Sequence, residues 1–369
     1  MSDQIKHECG IVMIRLLKPL EYFKSNYGSW RYGLNKMYLL MEKQRNRGQD
    51  GAGIASIKLD MLPGKKYVNR IRSVASRPIV EVFDRINSDL IPDNGRSSEQ
   101  IEDPQWAKEN IPFAGELYLG HLRYGTFGKN EIENAHPVMR LSNWKSKTLV
   151  MAGKFNLTNV EELFEKLMEL GQHPSDFTDT VTILEKVGHF LDQENQELFE
   201  KYKKEGYSNQ AISDLIAEKI DIAKILRKAC KYWDGGYAIG GMIGHGDGFI
   251  LRDPNGIRPA FYYKNDDLFI AASERPAIQT ALNIPFEDIK EVKPGNALII
   301  RNNGKIYHEE VIPHAKRTAC SFERIYFSRG NDAEIYKERK MLGRLLSPAI
   351  LQTVDYDIEN TVFSFIPNT

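Results

Sequence analysis

The chain has 369 residues with Lys+Arg 50 against Asp+Glu 50, a net charge of zero on an ordinary globular composition. That length can bury a large core, one big domain plus the start of another, while the balanced charge offers no field to draw nucleic acid or an anionic membrane surface, so a small molecule is the expected partner. Cys9, Cys230 and Cys320 lie far apart with no paired spacing, which argues against a disulfide framework and a self-contained zinc site and fits a reducing cytoplasm. The first residues, with Asp3, Lys6, His7 and Glu8, lack the apolar run of a signal peptide, and no apolar stretch reaches membrane-spanning length.

The run from Cys9 to Leu16 is rich in β-branched residues and predicts a first strand. Cys9 itself has two readings. It is either a buried cysteine of that strand or, if residues 1–8 are removed as a leader, a terminal residue with an α-amine of pKa about 8 beside a thiol of about 8.5. In the second case one residue holds nucleophile and base, because the amine can take the thiol proton and later hand it to a leaving group. Leu34, Met37, Tyr38, Leu40 and Met41 fall at helical spacing, and the Gly-bearing loop 45–53 leads into a strand at 54–57. Residues 87–112 are polar, charged and aperiodic, and read as a surface insertion.

Strand character resumes at 117–122 and enters a second Gly-rich loop, 120–128, around Arg123. That arginine either forks onto a carboxylate ligand or pairs with a surface acid. A strand at 148–152 is expected to end in the turn 153–157. A helix follows, opened by a capping box at 158–161, striped with Leu163, Leu167, Met168 and Leu170, and stopped by Gly171. Asp179 stands where a second helix opens, as its capping acid or as a site residue. Further helical pattern spans 208–233, and short strands with turns are expected at 237–243, 249–252, 261–263, 268–272, 297–301 and 305–311. Two blocks of strands bracketing helices predict a sheet-on-sheet core with helical layers outside.

Several stretches together carry a family likeness: Cys9-Gly10-Ile11, Arg47-Gly48-Gln49-Asp50, Gly120-His121-Leu122-Arg123-Tyr124, Asn134-Ala135-His136-Pro137, Asn156-Leu157-Thr158-Asn159, Arg252-Asp253-Pro254-Asn255-Gly256-Ile257-Arg258-Pro259 and the segment from Cys320 to Phe327. In this order the chain resembles the class II glutamine amidotransferases, and within them the glutamine phosphoribosylpyrophosphate amidotransferases that open purine synthesis. The resemblance implies an α+β fold: a four-layer αββα sandwich of the N-terminal-nucleophile hydrolase type over residues 9–315, with insertions near 87–112 and 191–232. It also implies a connecting segment over 316–369, with a helix near 329–350 and, from Thr361, the first strand of a truncated α/β phosphoribosyltransferase domain.

By position, the resemblance makes Cys9 the nucleophile after loss of the leader 1–8, sets Arg123 on the α-carboxylate of glutamine and Asp179 on its α-ammonium, and has Arg47, Tyr124 and Thr126 shape the pocket. A zwitterionic amino acid requires one fixed cation, one fixed anion and a short path to the thiolate. Attack on the side-chain amide would release ammonia and leave a γ-glutamyl thioester for water to hydrolyse. Lys154 and Phe155 occupy the register of the family's Asn-Gly oxyanion donors. Phe155 keeps a backbone N–H without the positive φ open to Gly, and Lys154 offers a charge on a flexible stem instead of a planar amide. Both are candidate catalytic positions. They also motivate the alternatives of an impaired amidotransferase or a non-catalytic scaffold or regulatory relative; a glutaminase domain of another synthase is a further alternative. No cofactor or metal ligand is expected in this chain, with an iron–sulfur role implied for Cys320 in a full-length form. The expected partners are glutamine and further copies of the chain in a homo-oligomer, with no nucleic acid and no membrane.

Overall fold

The computed structural model describes residues 9–92, 95–125, 131–174 and 176–364; the leader 1–8, Thr126 and residues 365–369 of the expected terminal strand lie outside them. The strands, in chain order, are β1 (Gly10–Leu16), β2 (Gly51–Ile57), β3 (Val68–Ser73), β4 (Leu117–Arg123), β5 (Val138–Arg140), β6 (Leu149–Leu157), β7 (Gly235–Ile243), β8 (Gly248–Arg252), β9 (Phe261–Lys264), β10 (Leu268–Ala272), β11 (Lys290–Glu291), β12 (Asn296–Ile300) and β13 (Ile306–Glu310). Among the described residues they form two antiparallel sheets, ordered β11-β9-β10-β1-β4-β2-β3 and β13-β12-β8-β7-β6-β5.

The period-two alternation of each strand sorts its side chains between two cores. On β1, Val12, Ile14 and Leu16 join a cluster with the helices Tyr32–Lys43, Pro78–Ser88 and Arg275–Leu282, while Ile11 and Met13 face the second sheet. On β6, Leu149 and Met151 meet the helices Asp179–Lys204 and Ile222–Ala229, while Val150 and Ala152 face inward. Helices, sheet, sheet, helices is therefore the layering, and each fully buried Leu or Ile contributes about 1.5–3 kcal/mol. Across the inner layer, Leu119 lies over Gly240 so closely that a Cβ there would come within 2.7 Å of it.

Three local readings of the sequence are corrected. The turn expected at 153–157 is strand, because β7 pairs with β6 along its whole length, from Leu149↔Ile243 to Leu157↔Gly235. The capping box at 158–161 does not form: Asn159 is the N-cap without a side-chain cap bond, its Nδ2 instead reaching Tyr232 O at 2.8 Å, and Thr158 N–H donates to Asp234 O at 2.9 Å. The stretch 87–112 holds two short helices, Ser98–Glu102 and Pro104–Asn110, and sends Ile101, Ala107 and Ile111 into the core. Its apolar residues are too few to show a period, and the Ser97 and Asp103 caps start the helices.

The chain divides after Thr318 into a large unit, just described, and a small one from Ala319. In the small unit a π-helical turn, Glu323–Phe327, precedes the helix Ala333–Thr353, which Asp332 caps by accepting from Glu334 N–H at 2.9 Å. Residues 361–364 carry no strand. No helix among the described residues is long and apolar enough to cross a membrane.

Candidate active site

Cys9 precedes β1, and the pairing of Gly10 with Leu122 puts the end of β4 beside it. Tyr124 N–H points at Cys9 Sγ from 3.5 Å, and the thiol faces Tyr124 O at 3.8 Å. Burial pushes the Cys9 thiol pKa up. The Tyr124 backbone bond and the charges of Arg123 and Arg258 pull it down, and Asp179 pushes it up. Cys9, Arg123, Asp179 and Arg258 are thus one electrostatic group drawn from four distant parts of the chain. A thiol held protonated needs a base before it can attack.

Arg123 is buried, and one of its Nη atoms donates to Asn134 O. Its backbone is braced by the loop before β2: Asp50 N–H donates to Arg123 O at 3.1 Å, and Gly125 N–H donates to Asp50 Oδ2 at 2.9 Å. That loop passes so near that a Cβ on Gly48 would stand 2.7 Å from the Arg123 carbonyl carbon and oxygen. Arg47 is fully buried, its Nε ion-paired with Glu274 at 2.7 Å and its stem lying against Gly10. Arg47 therefore supports the nucleophile's strand from behind, and Tyr124 reaches the thiol through its backbone.

Asp179 is the first residue of its helix, and the cap is Thr178, whose hydroxyl accepts from Val181 N–H at 3.2 Å. The carboxylate of Asp179 is thereby released from capping and accepts Thr180 N–H at 2.7 Å. Burial raises its pKa against the opposing pull of the Thr180 bonds and of Arg123.

Lys154 and Phe155 lie side by side near the end of β6. Lys154 is buried and shares the inner-facing parity of Val150 and Ala152. Phe155 is extended and is not among the residues with positive φ, so its donor is a question of direction alone. At Gly153 both backbone groups turn away from β7: N–H donates to His136 Nδ1 at 3.2 Å and C=O lies 3.1 Å from His121 Nε2. Alternation aims Phe155 N–H toward the same edge, beyond the end of β5.

Sequence reasoning gave no role to His121, His136, Thr180, Arg258 or Glu274, although His121, His136 and Arg258 stand in the motifs it quoted. Single histidines and arginines among apolar neighbours carry no local signal of what they will meet. Among the described residues no three His, Cys, Asp or Glu side chains gather as metal ligands.

A two-sheet α+β fold with a half-buried cysteine at the Arg123 end of β4 defines a class, and the comparison with known families agrees: residues 109–325, more than half of the chain, match the model of the class-II glutamine amidotransferases, and the chain belongs to that family. It is similar to amidophosphoribosyltransferases, at 27% identity to that of Pasteurella multocida over 93% of this chain and 56% of the relative, and at 26% to that of Escherichia coli over 98% and 60%. In structure it is similar to the glutamine phosphoribosylpyrophosphate amidotransferase from B. subtilis complexed with ADP and GMP, with a TM-score of 0.57 at 23% identity, covering 88% of this chain and 53% of that one. A second solved structure, described as the allosteric regulatory enzyme of purine biosynthesis, gives 0.58 at 22% identity. The chain thus spans little more than half the length of these relatives.

Proposed function

We propose that the chain is the glutamine-hydrolysing, ammonia-supplying part of an amidophosphoribosyltransferase-like enzyme, built as an N-terminal-nucleophile hydrolase over residues 9–315. The observation that carries this reading is the end of β4 at the nucleophile, where Tyr124 N–H, next to Arg123, points at Cys9 Sγ from 3.5 Å and the charges of Arg123 and Asp179 act on the thiol. Arg123 takes the α-carboxylate and Asp179 the α-ammonium, while Tyr124 borders the pocket and Arg47, paired with Glu274, supports the nucleophile's strand from behind; Thr126, which the resemblance also implies for the pocket, lies outside the described residues. Removal of residues 1–8 frees the Cys9 amine, which takes the thiol proton. The thiolate attacks the side-chain amide carbonyl, the amine returns the proton to the departing ammonia, and water releases glutamate from the thioester. Phe155 N–H, aimed at the open edge of β6, is the backbone donor to the oxyanion, with the Lys154 ammonium beside it.

Incubating protein that begins at Cys9 with glutamine tests the reading: glutamate is the expected product, and Cys9→Ala abolishes it. Glutamine left intact by the processed protein sinks the proposal. In that event the second reading, a non-catalytic relative, gains support from the replaced Asn-Gly pair. The connecting role of 316–369, assembly into a homo-oligomer and a cytoplasmic setting are parts of the same proposal. An iron–sulfur role for Cys320 would require thiolates beyond the three cysteines of this sequence, since such a cluster usually takes four.

A further inference from the structure

The mechanism above leaves two buried histidines without a task. His121 and His136 lie with ring centroids 4.4 Å apart, and His136 is stacked on Phe155 at 5.5 Å. They stand where β6 has lost its neighbour, because β5 begins only at Val138, opposite Met151.

The direction of each hydrogen bond follows from chemistry. Gly153 N–H can only donate, and it donates to His136 Nδ1 at 3.2 Å, so the lone pair is on Nδ1 and the ring proton on Nε2. His136 Nε2 then donates to Thr180 Oγ1 at 3.0 Å. The Thr180 hydroxyl proton is left for Asp179 Oδ1 at 3.3 Å, the oxygen that already accepts Thr180 N–H at 2.7 Å. Each link has one donor and one acceptor, in a single sense from the edge of β6 to the carboxylate. His121 holds the same peptide by its other end, since Gly153 O can only accept from Nε2 at 3.1 Å.

We propose that His136 is a positioning residue that ties the ammonium-binding carboxylate of Asp179 to the oxyanion edge of β6, so that seating of the amino acid's α-ammonium and the aim of Phe155 N–H are set together. The identity of the ligand rests on the glutaminase reading; the hydrogen-bonded row does not.

The experiment has a spectroscopic and a kinetic arm, both on the full chain processed to Cys9. Long-range proton–nitrogen NMR of histidine-labelled protein at neutral pH is expected to show His136 neutral with its proton on Nε2, and Asp179→Asn is expected to shift the Gly153 amide. Thr180→Val, which cuts the row beside Asp179, raises the KM for glutamine roughly tenfold, more than it lowers kcat, as loss of a hydrogen bond to a charged group predicts. His136→Leu affects KM and kcat together. His136→Gln, whose carbonyl can accept from Gly153 while its amide donates to Thr180, recovers most of both. A proton on Nδ1, a Gly153 amide indifferent to Asp179→Asn, an unmoved KM in Thr180→Val, or a His136→Gln variant no better than His136→Leu overturns the proposal. The spectra need no turnover, so a broken row appears there directly, whereas an intact row in a protein that hydrolyses no glutamine overturns the glutaminase reading and the coupling with it.

Discussion

Cys9 sets the problem at the scale of single residues, because burial makes its thiol a poorer acid just where an acyl transfer would want a thiolate. A base created on the same residue by cleavage resolves this locally. Protein that retains residues 1–8, with its state confirmed by intact mass, is therefore expected to leave glutamine unhydrolysed, and equal rates with and without the leader reject the scheme. Asp179 makes a second case. Its pKa is raised by burial, so the carboxylate takes up a proton at a higher pH than an ordinary aspartate and then no longer balances an ammonium. The KM for glutamine should rise as pH falls through that raised pKa, and Asp179→Asn should show a KM at least roughly tenfold higher with this acid-side dependence gone. A variant with an unchanged KM removes Asp179 from the site.

At the scale of elements, β6 and the loop before β2 do most of the positioning. The ladder to β7 continues through Lys154 and Phe155, so side-chain chemistry at these positions is set by strand parity. Replacing Lys154→Asn with Phe155→Gly installs the Asn-Gly pair that the family resemblance implies for this register, and the expected outcome is a gain of roughly tenfold or more in turnover, within the range that one oxyanion donor commands. An unchanged or lower rate means that the existing pair suffices. The loop is held at a backbone contact that admits no Cβ on Gly48. Gly48→Ala should displace the Arg123 carbonyl, costing about 1–3 kcal/mol in denaturant unfolding and raising the KM for glutamine. Wild-type values for both would show that the contact is slack.

The whole molecule registers the buried histidines as a dependence of stability on pH. Burial lowers the pKa of His136 to about 3 from the ordinary 6.5, and that of His121 well below 6.5. Below 6.5 the unfolded chain binds protons that the folded chain refuses, so stability is intact above 6.5 and is lost as pH falls toward 3, by at most about 1.4 kcal/mol per pH unit for each ring. Thermal unfolding followed from pH 7 to 4 should show this slope, and His136→Gln should make it shallower. A parallel slope in that variant would assign the acid sensitivity to other groups.

Much of this architecture was legible in the sequence because its signals are local. The β-branched content of β1 and the 3.6-residue spacing of Leu34, Met37 and Met41 needed only near neighbours to be read, and two blocks of strands around a helical middle implied sheets packed face to face. Cys9, Arg123 and Asp179 could be named as candidates from residue type and family resemblance, each with a structural alternative beside it. What the sequence could not decide depends on partners far away in the chain. The turn signal at Gly153-Lys154 yields to a ladder with β7 some eighty residues later. Arg47 serves Glu274 behind the nucleophile's strand, and the caps of 158–161 are diverted by Tyr232 and Asp234. The charge of Arg258 acts on the thiol only because the fold brings it near, and the link from Asp179 through His136 to Gly153 joins three separate segments. Residue type and period settle which elements form and what chemistry they carry; tertiary pairing alone settles which donor meets which acceptor, because a hydrogen bond is fixed by positions in space that no single segment contains.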